Sequence, residues 1–183
     1  MIPSKKLLSE NKVAFVICEV IQGEGGINVA SRSFVRALRK YSNEFGVPLI
    51  LDEVQSGMGR TGKWWAFEHY GVKPDIITVA KALQVGATLY DRKLEPAESG
   101  VLSSTWGAGN RSDMAIGKGI IDIIMRDRLL ANAITMGYIL KKGLVELVGR
   151  RGIIDVRGIG LMLGIEFDTA VTRTKKSVLA KSS

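Results

Sequence analysis

Apolar positions change their spacing several times along the chain, and each change marks an element. Residues 13 to 21, VAFVICEVI, are almost continuously apolar, which predicts a strand buried on both faces of a parallel sheet. From Ser31 to Phe45, Phe34, Leu38, Tyr41 and Phe45 recur at spacings of four, three and four, one face of a helix, and Gly46 stands where a C-terminal cap belongs. Pro48 opens a second apolar run within VPLILDEV, and after Pro74 a third, DIITVAK, predicts a strand over residues 75 to 80. Between them lie the loop SGMGRTGK and WWAFEHYG, a short aromatic helix or turn. Strand, helix, strand, short helix, strand is the rhythm of an α/β fold with a mostly parallel sheet and crossover helices.

The flanks are less regular. Residues 1 to 12 are polar and read as irregular, and residues 82 to 112 carry little periodicity. Helical spacing returns at DMAIGKGIIDIIMRD, with Asp113 as the expected N-cap, and continues through LLANAITMGYILKKGLVELVG, with a stripe of Ile139, Leu140, Leu144, Leu147 and Val148 and a stop at Gly149. The strand pair IIDVRGIGLMLGIEFD, turning at Gly158 and Gly160, then predicts the start of a smaller α+β unit. The expected division is a large domain over residues 1–148 and an incomplete C-terminal unit over 149–183.

Composition adds limits. A chain of 183 residues, 46% hydrophobic and 24% charged, has enough apolar material for a sizeable core. Its formal net charge of +8 raises nucleic acid as a partner, but the basic clusters RALRK, GRR and TRTKK are scattered and none alternates with aromatics, so nucleic acid is not expected. No apolar run approaches the roughly 20 residues of a membrane span, and the first residues lack a signal-peptide core, so a cytoplasmic address is expected. The single cysteine, Cys18, sits in an apolar run and reads as a core residue.

Three glycine patterns compete for the chemistry. Gly57, Gly59 and Gly62 satisfy GxGxxG after a strand, but Asp52 and Glu53 place anionic charge where a dinucleotide pyrophosphate would lie. GMGRTGKW fits GxxxxGK with Trp64 where a P-loop needs Ser or Thr, and GEGG after Glu19 is a tight loop. The lone His69 has no partner at metal-ligand spacing and reads as a packing or surface residue. Ser56, Ser103 and Ser104 have no histidine placed for a triad. What remains is a pair of strand ends, one carrying Asp52 and the next Lys81. Ligands of open α/β sheets bind at that edge. A carboxylate beside a protonated pyridine nitrogen and an amine to hold an aldehyde are the requirements of pyridoxal phosphate.

The segments EVIQGEGG (19 to 26), LILDEVQSGMGRTGKWWAFEHYGVKPDIITVAKAL (49 to 83), SSTWGAGN (103 to 110) and RGIGLMLGIEF (157 to 167) together resemble the class III, or omega, aminotransferases, which are fold type I pyridoxal phosphate enzymes. That resemblance implies roles residue by residue. Lys81 resembles the Schiff-base lysine and proton carrier, and Asp52 the partner of the pyridine nitrogen. Val54 resembles the residue packed on one ring face, sharing a strand face with Asp52. Gln55 resembles the partner of the phenolic oxygen, and Thr105 the threonine reaching the cofactor phosphate of a neighbouring subunit, which implies a homodimer with a shared site. Glu19 and Glu24 resemble substrate-side carboxylates.

The implied reaction moves an amino group from an omega-amino acid, 4-aminobutyrate-like, to a 2-oxo acid, with 2-oxoglutarate the expected acceptor. KALQVGA and SSTWGAGN are also similar to lysine aminotransferases, ornithine enzymes share the family, and racemases use the same scaffold. Family chains are longer at both ends. Their N-terminal phosphate-holding turn and ring-stacking aromatic have no match in MIPSKKLLSENK, and Arg173 does not match their substrate-binding arginine. A partial family member is therefore expected, either completed by a partner chain or catalytically incompetent alone.

Overall fold

The computed structural model describes residues 3–10, 12–98, 101, 109–150, 152–168 and 170. Helices α1 (Pro3–Ser9), α2 (Arg32–Glu44), α3 (Arg111–Arg126) and α4 (Leu129–Val145) accompany strands β1 (Val16–Cys18), β2 (Leu49–Asp52), β3 (Ile76–Val79), β4 (Ala87–Tyr90), β5 (Ile153–Ile159) and β6 (Met162–Phe167). Strands β1, β2 and β3 are parallel neighbours in that order, and β4 closes the sheet antiparallel to β3. Strands β5 and β6 form a separate antiparallel hairpin. The mixed α/β architecture is the one expected from the alternation of elements.

Alternation decides which side chains enter the core. Leu49, Leu51 and Ile77 pack with Val35 and Leu38 of α2 and with Ala66 and Tyr70 of a five-residue 3-10 helix, Ala66–Tyr70. Tyr70 is buried and its hydroxyl donates to Val20 O at 3.1 Å, which ties this helix to the chain leaving β1. The opposite face, with Ile50, Asp52, Ile76 and Thr78, is only partly covered, and Ile17 on it is 53% exposed.

Several local expectations need correction. The apolar run 13–21 yields an edge strand of only three residues, exposed at Ile17 because that face of the sheet is only partly covered. The segment expected to be irregular at the start holds α1, which packs on α2 and buries Leu8. In α2 the inward residues are Val35, Leu38 and Ser42, and Phe34 is exposed. Ser31 caps this helix by accepting from Phe34 N–H at 3.2 Å, and Gly46 follows its end with φ +66°. Helix α3 is capped by Asn110, which accepts from Ser112 N–H at 2.8 Å, and Asp113 lies in its first turn.

The largest difference is in α4. Ile139 and Leu140 of the expected stripe are exposed, and the helix buries Ala133 and Gly137. Small residues allow a backbone to come close: a Cβ on Gly137 would lie 2.3 Å from the backbone of Gly160. Gly160, with φ +58°, turns the β5–β6 hairpin, and Gly158 lies within β5. Leu161 N–H donates to Arg60 O at 3.0 Å, so the hairpin tip is wedged between α4 and the GRTG loop.

Candidate active site

Because β1, β2 and β3 are parallel, their carboxyl ends share one edge. Glu19 follows β1, Asp52 ends β2, and Lys81 lies two residues past β3, at the start of a 3-10 turn, Lys81–Leu83. In register, Asp52 pairs with Thr78, so the two side chains share a face of the sheet. Thr78 Oγ1 is buried there without a hydrogen-bond partner among the described residues.

The loop after β1 brings a third carboxylate to this edge. Glu24 Oε1 accepts from Gln55 Nε2 at 3.1 Å and lies 3.9 Å from Lys81 Nζ. The loop is stiffened from within, since Gly23 N–H donates to Glu19 Oε2 at 2.7 Å and Asn28 Nδ2 donates to Gly25 O at 2.8 Å. Glu19 also borders an open hollow of about 590 Å³ with Cys18, Gln22, Asn28 and Phe34. Burial and the nearby Glu19 charge push the Cys18 thiol up from its ordinary value.

Lys81 and Gln55 thus both meet Glu24, and Asp52 and Glu19 lie at the same edge. The Lys81 side chain is 60% exposed. One expectation is corrected. Val54 does not share a strand face with Asp52, because β2 ends at Asp52 and the chain turns, with Val54 N–H donating to Asp52 Oδ1 at 2.9 Å. Thr105, Ser103, Ser104 and Arg173 lie outside the described residues.

The residue that sequence reasoning missed is Glu53. It is fully buried on the face opposite Asp52 and accepts from Ser56 Oγ at 2.6 Å, Ala66 N–H at 3.0 Å and Phe67 N–H at 2.9 Å. Burial pushes its carboxyl up, against the pull of those three donors. Glu53 therefore folds the glycine loop back and anchors the start of the 3-10 helix behind Asp52. Period-two alternation from Asp52, followed by a glycine-rich loop, was the available signal. The same loop leads into a 3-10 helix of five residues, so Gly57, Gly59 and Gly62 do not form a dinucleotide turn at a helix N-terminus. His69 Nε2 shares a hydrogen bond of 3.0 Å with Thr61 Oγ1, and burial lowers its affinity for a proton. It is a packing residue.

A parallel sheet delivering a carboxylate and a lysine to one edge is the scaffold of fold type I pyridoxal phosphate enzymes, and solved structures of that class superimpose on it. Lysine aminotransferase from M. tuberculosis matches with a TM-score of 0.85 and 33% identity, over 93% of this chain and 41% of that one. Ornithine delta-aminotransferase of Plasmodium falciparum matches with a TM-score of 0.82 and 34% identity, over 91% and 45%. The chain belongs to the class-III aminotransferases, whose family model matches residues 3–183.

Among curated relatives, acetylornithine aminotransferase 1 of Bordetella parapertussis is 43% identical over 166 residues, 87% of this chain and 42% of the relative. Diaminobutyrate–2-oxoglutarate aminotransferase of Rhizobium meliloti is 40% identical over 161 residues, 85% and 34%. The chain spans less than half the length of these relatives. The family is pyridoxal phosphate-dependent. Among the described residues, no helix is long and apolar enough to cross a membrane.

Proposed function

We propose that this chain supplies the lysine-bearing part of a pyridoxal phosphate-dependent aminotransferase, with Lys81 as the residue that holds the cofactor and moves the proton. The observation that carries the reading is the edge where the ends of neighbouring parallel strands, and the loops that leave them, gather Asp52, Gln55, Glu24 and Lys81. The donor set fits the cofactor. A half-buried carboxylate suits a pyridinium nitrogen, an amide suits a phenolic oxygen, and a primary amine open to solvent suits an aldehyde. The unpaired Thr78 hydroxyl adds a polar group on Asp52's face. When bound, pyridoxal phosphate supplies an electron sink for the carbanion formed at the substrate carbon. Asp52 holds the charge of the ring nitrogen, Val54 and Gln55 orient the ring, and the Lys81 amine takes a proton from the substrate carbon and returns it.

The donor is an omega-amino acid and the acceptor a 2-oxo acid, 2-oxoglutarate in this reading. Relatives named for acetylornithine, diaminobutyrate, ornithine and lysine favour a terminal amine of a basic amino acid over 4-aminobutyrate. Glu19 and Glu24 are the carboxylates placed to meet such a substrate. Residues 1–148 form the cofactor domain in this account, and 149–183 belong to a smaller unit. The family resemblance assigns Thr105 to the cofactor phosphate of a neighbouring subunit, and with it a homodimer.

A second reading, that the chain acts only with further protein over its site, is favoured by the exposure of Lys81 and Glu24, because this chemistry needs water excluded. One experiment addresses both. The chain is incubated with pyridoxal phosphate, reduced with borohydride and digested, and the label is mapped by mass spectrometry; glutamate formation from 2-oxoglutarate is then followed with ornithine, lysine or 4-aminobutyrate. Label on Lys81 with glutamate production supports the first reading, and label without turnover supports the second. Label spread over surface lysines with none favoured at Lys81 overturns both.

A further inference from the structure

We propose that Arg157 is the positioning residue that holds the Glu24 loop against Lys81, coupling the β5–β6 hairpin to the candidate site. The loop in question carries Glu24 and passes through two successive left-handed residues, Gly26 with φ +97° and Ile27 with φ +57°. A non-glycine residue in that region needs support from its surroundings. The hairpin gives it.

Arg157 Nε donates to Gly26 O at 2.8 Å, a contact between positions 131 residues apart in the chain. Its other arm is fixed: Nη1 bonds Asp155 Oδ2 at 2.8 Å and Glu166 Oε2 at 2.5 Å. The fork thus divides its work, with one nitrogen anchored in the hairpin and another aimed at the loop. A planar guanidinium presents both donors in one rigid fork, whereas a lysine ammonium is a single point charge on a flexible stem. In register, Arg157 faces Gly164 on β6. The missing side chain at Gly164 leaves the seat for the loop, since a Cβ there would lie 2.9 Å from Ile27 Cβ.

Two residues before Gly26, Glu24 takes the Gln55 amide and stands beside Lys81. The exposed Glu24–Lys81 pair is too weak to order a loop by itself. Arg157 therefore determines where Glu24 stands, and Glu24 is one of the groups that a substrate amine arriving at Lys81 would meet. This inference rests on the reading of Lys81 as the reactive amine, but the coupling is measurable on the chain without cofactor.

The test is a zero-length cross-link. A water-soluble carbodiimide activates the Glu24 carboxyl, the Lys81 amine displaces the activated group, and an amide forms while the reagent leaves as its urea, carrying the water. Peptide mass spectrometry reads the Glu24–Lys81 amide against the Lys118–Asp122 amide, an exposed ion pair at 2.6 Å within α3 that Arg157 does not touch. In Arg157→Lys, which keeps the charge beside Asp155 and Glu166 but loses the bond to Gly26 O, the ratio is expected to fall roughly tenfold, as for one lost hydrogen bond from a charged donor. Arg157→Ala is expected to do the same, and adding Glu24→Gln to either removes the site cross-link altogether. A ratio unchanged in Arg157→Lys overturns the proposal, whatever Arg157→Ala does to folding. A chain that cross-links normally yet takes no pyridoxal phosphate label on Lys81 overturns the proposed function and leaves this coupling standing.

Discussion

The two ends of β3 carry opposite designs. At its amino end Asp75 is buried and fully engaged: Oδ2 accepts from Arg39 Nη1 at 2.7 Å and Leu49 N–H at 2.9 Å, and Oδ1 accepts from Lys93 Nζ at 2.6 Å. Strand β4 runs antiparallel, which is how the chain returns Lys93 to this edge. At the carboxyl end, Lys81 is largely exposed and meets one carboxylate at 3.9 Å. A carboxylate is locked at one end and an amine is left available at the other. A satisfied buried cluster holds structure, whereas an exposed amine with a loose counter-ion is free to change partners.

Mutation can break that contrast from either side. The largest effect is expected for Lys81→Ala, which should abolish borohydride fixation of pyridoxal phosphate at this site while changing folding stability by less than about 0.5 kcal/mol, as for an exposed side chain, measured by urea unfolding. Glu53→Ala, on the side that supports Asp52, leaves the Ser56 hydroxyl and the Ala66 and Phe67 amides without their acceptor and should cost about 3 kcal/mol in the same assay.

Acid should sharpen the contrast next. Burial alone would push the Asp75 carboxyl up, but the Leu49 amide, Lys93 and Arg39 outweigh it and hold it at about 2, below its ordinary 3.8. A carboxyl lowered on folding stabilises above its unfolded value and loses that contribution as pH falls toward the folded value. About 2 kcal/mol should therefore disappear between roughly pH 4 and pH 2, and Asp75→Asn should flatten that part of the pH–stability curve. The smallest change is expected for Glu24→Gln, under about 0.5 kcal/mol in unfolding, because the pair it breaks is exposed. A loss as large as that of Glu53→Ala would mean that the carboxyl edge is as tightly built as the amino edge.

Much of this was legible in the chain. The apolar runs before Asp52 and Lys81 predicted parallel strands, and parallel strands bring their ends to one edge. The resemblance of DEVQSGMGRTG and DIITVAKAL to class III enzymes agreed with the family that the chain matches. Helix faces were harder to read. In α4 the large residues Ile139 and Leu140 drew attention, but the contact is made by Ala133 and Gly137, because the hairpin backbone needs their lack of bulk. Glu53 and Asp52 are adjacent and identical in charge, and only their faces separate a buried anchor from a site carboxylate.

By itself, the sequence determined the central alternation of β1, α2, β2 and β3, the strand ends that carry Asp52 and Lys81, and the family, because these depend on local periodicity and on residue types at fixed spacing. The tertiary structure decided what each charge faces. Glu24 reaches Gln55 and Lys81, Arg157 reaches Gly26, and Asp75 gathers Arg39 and Lys93 only after distant segments pack together, and no local pattern encodes a hydrogen bond between positions 131 residues apart.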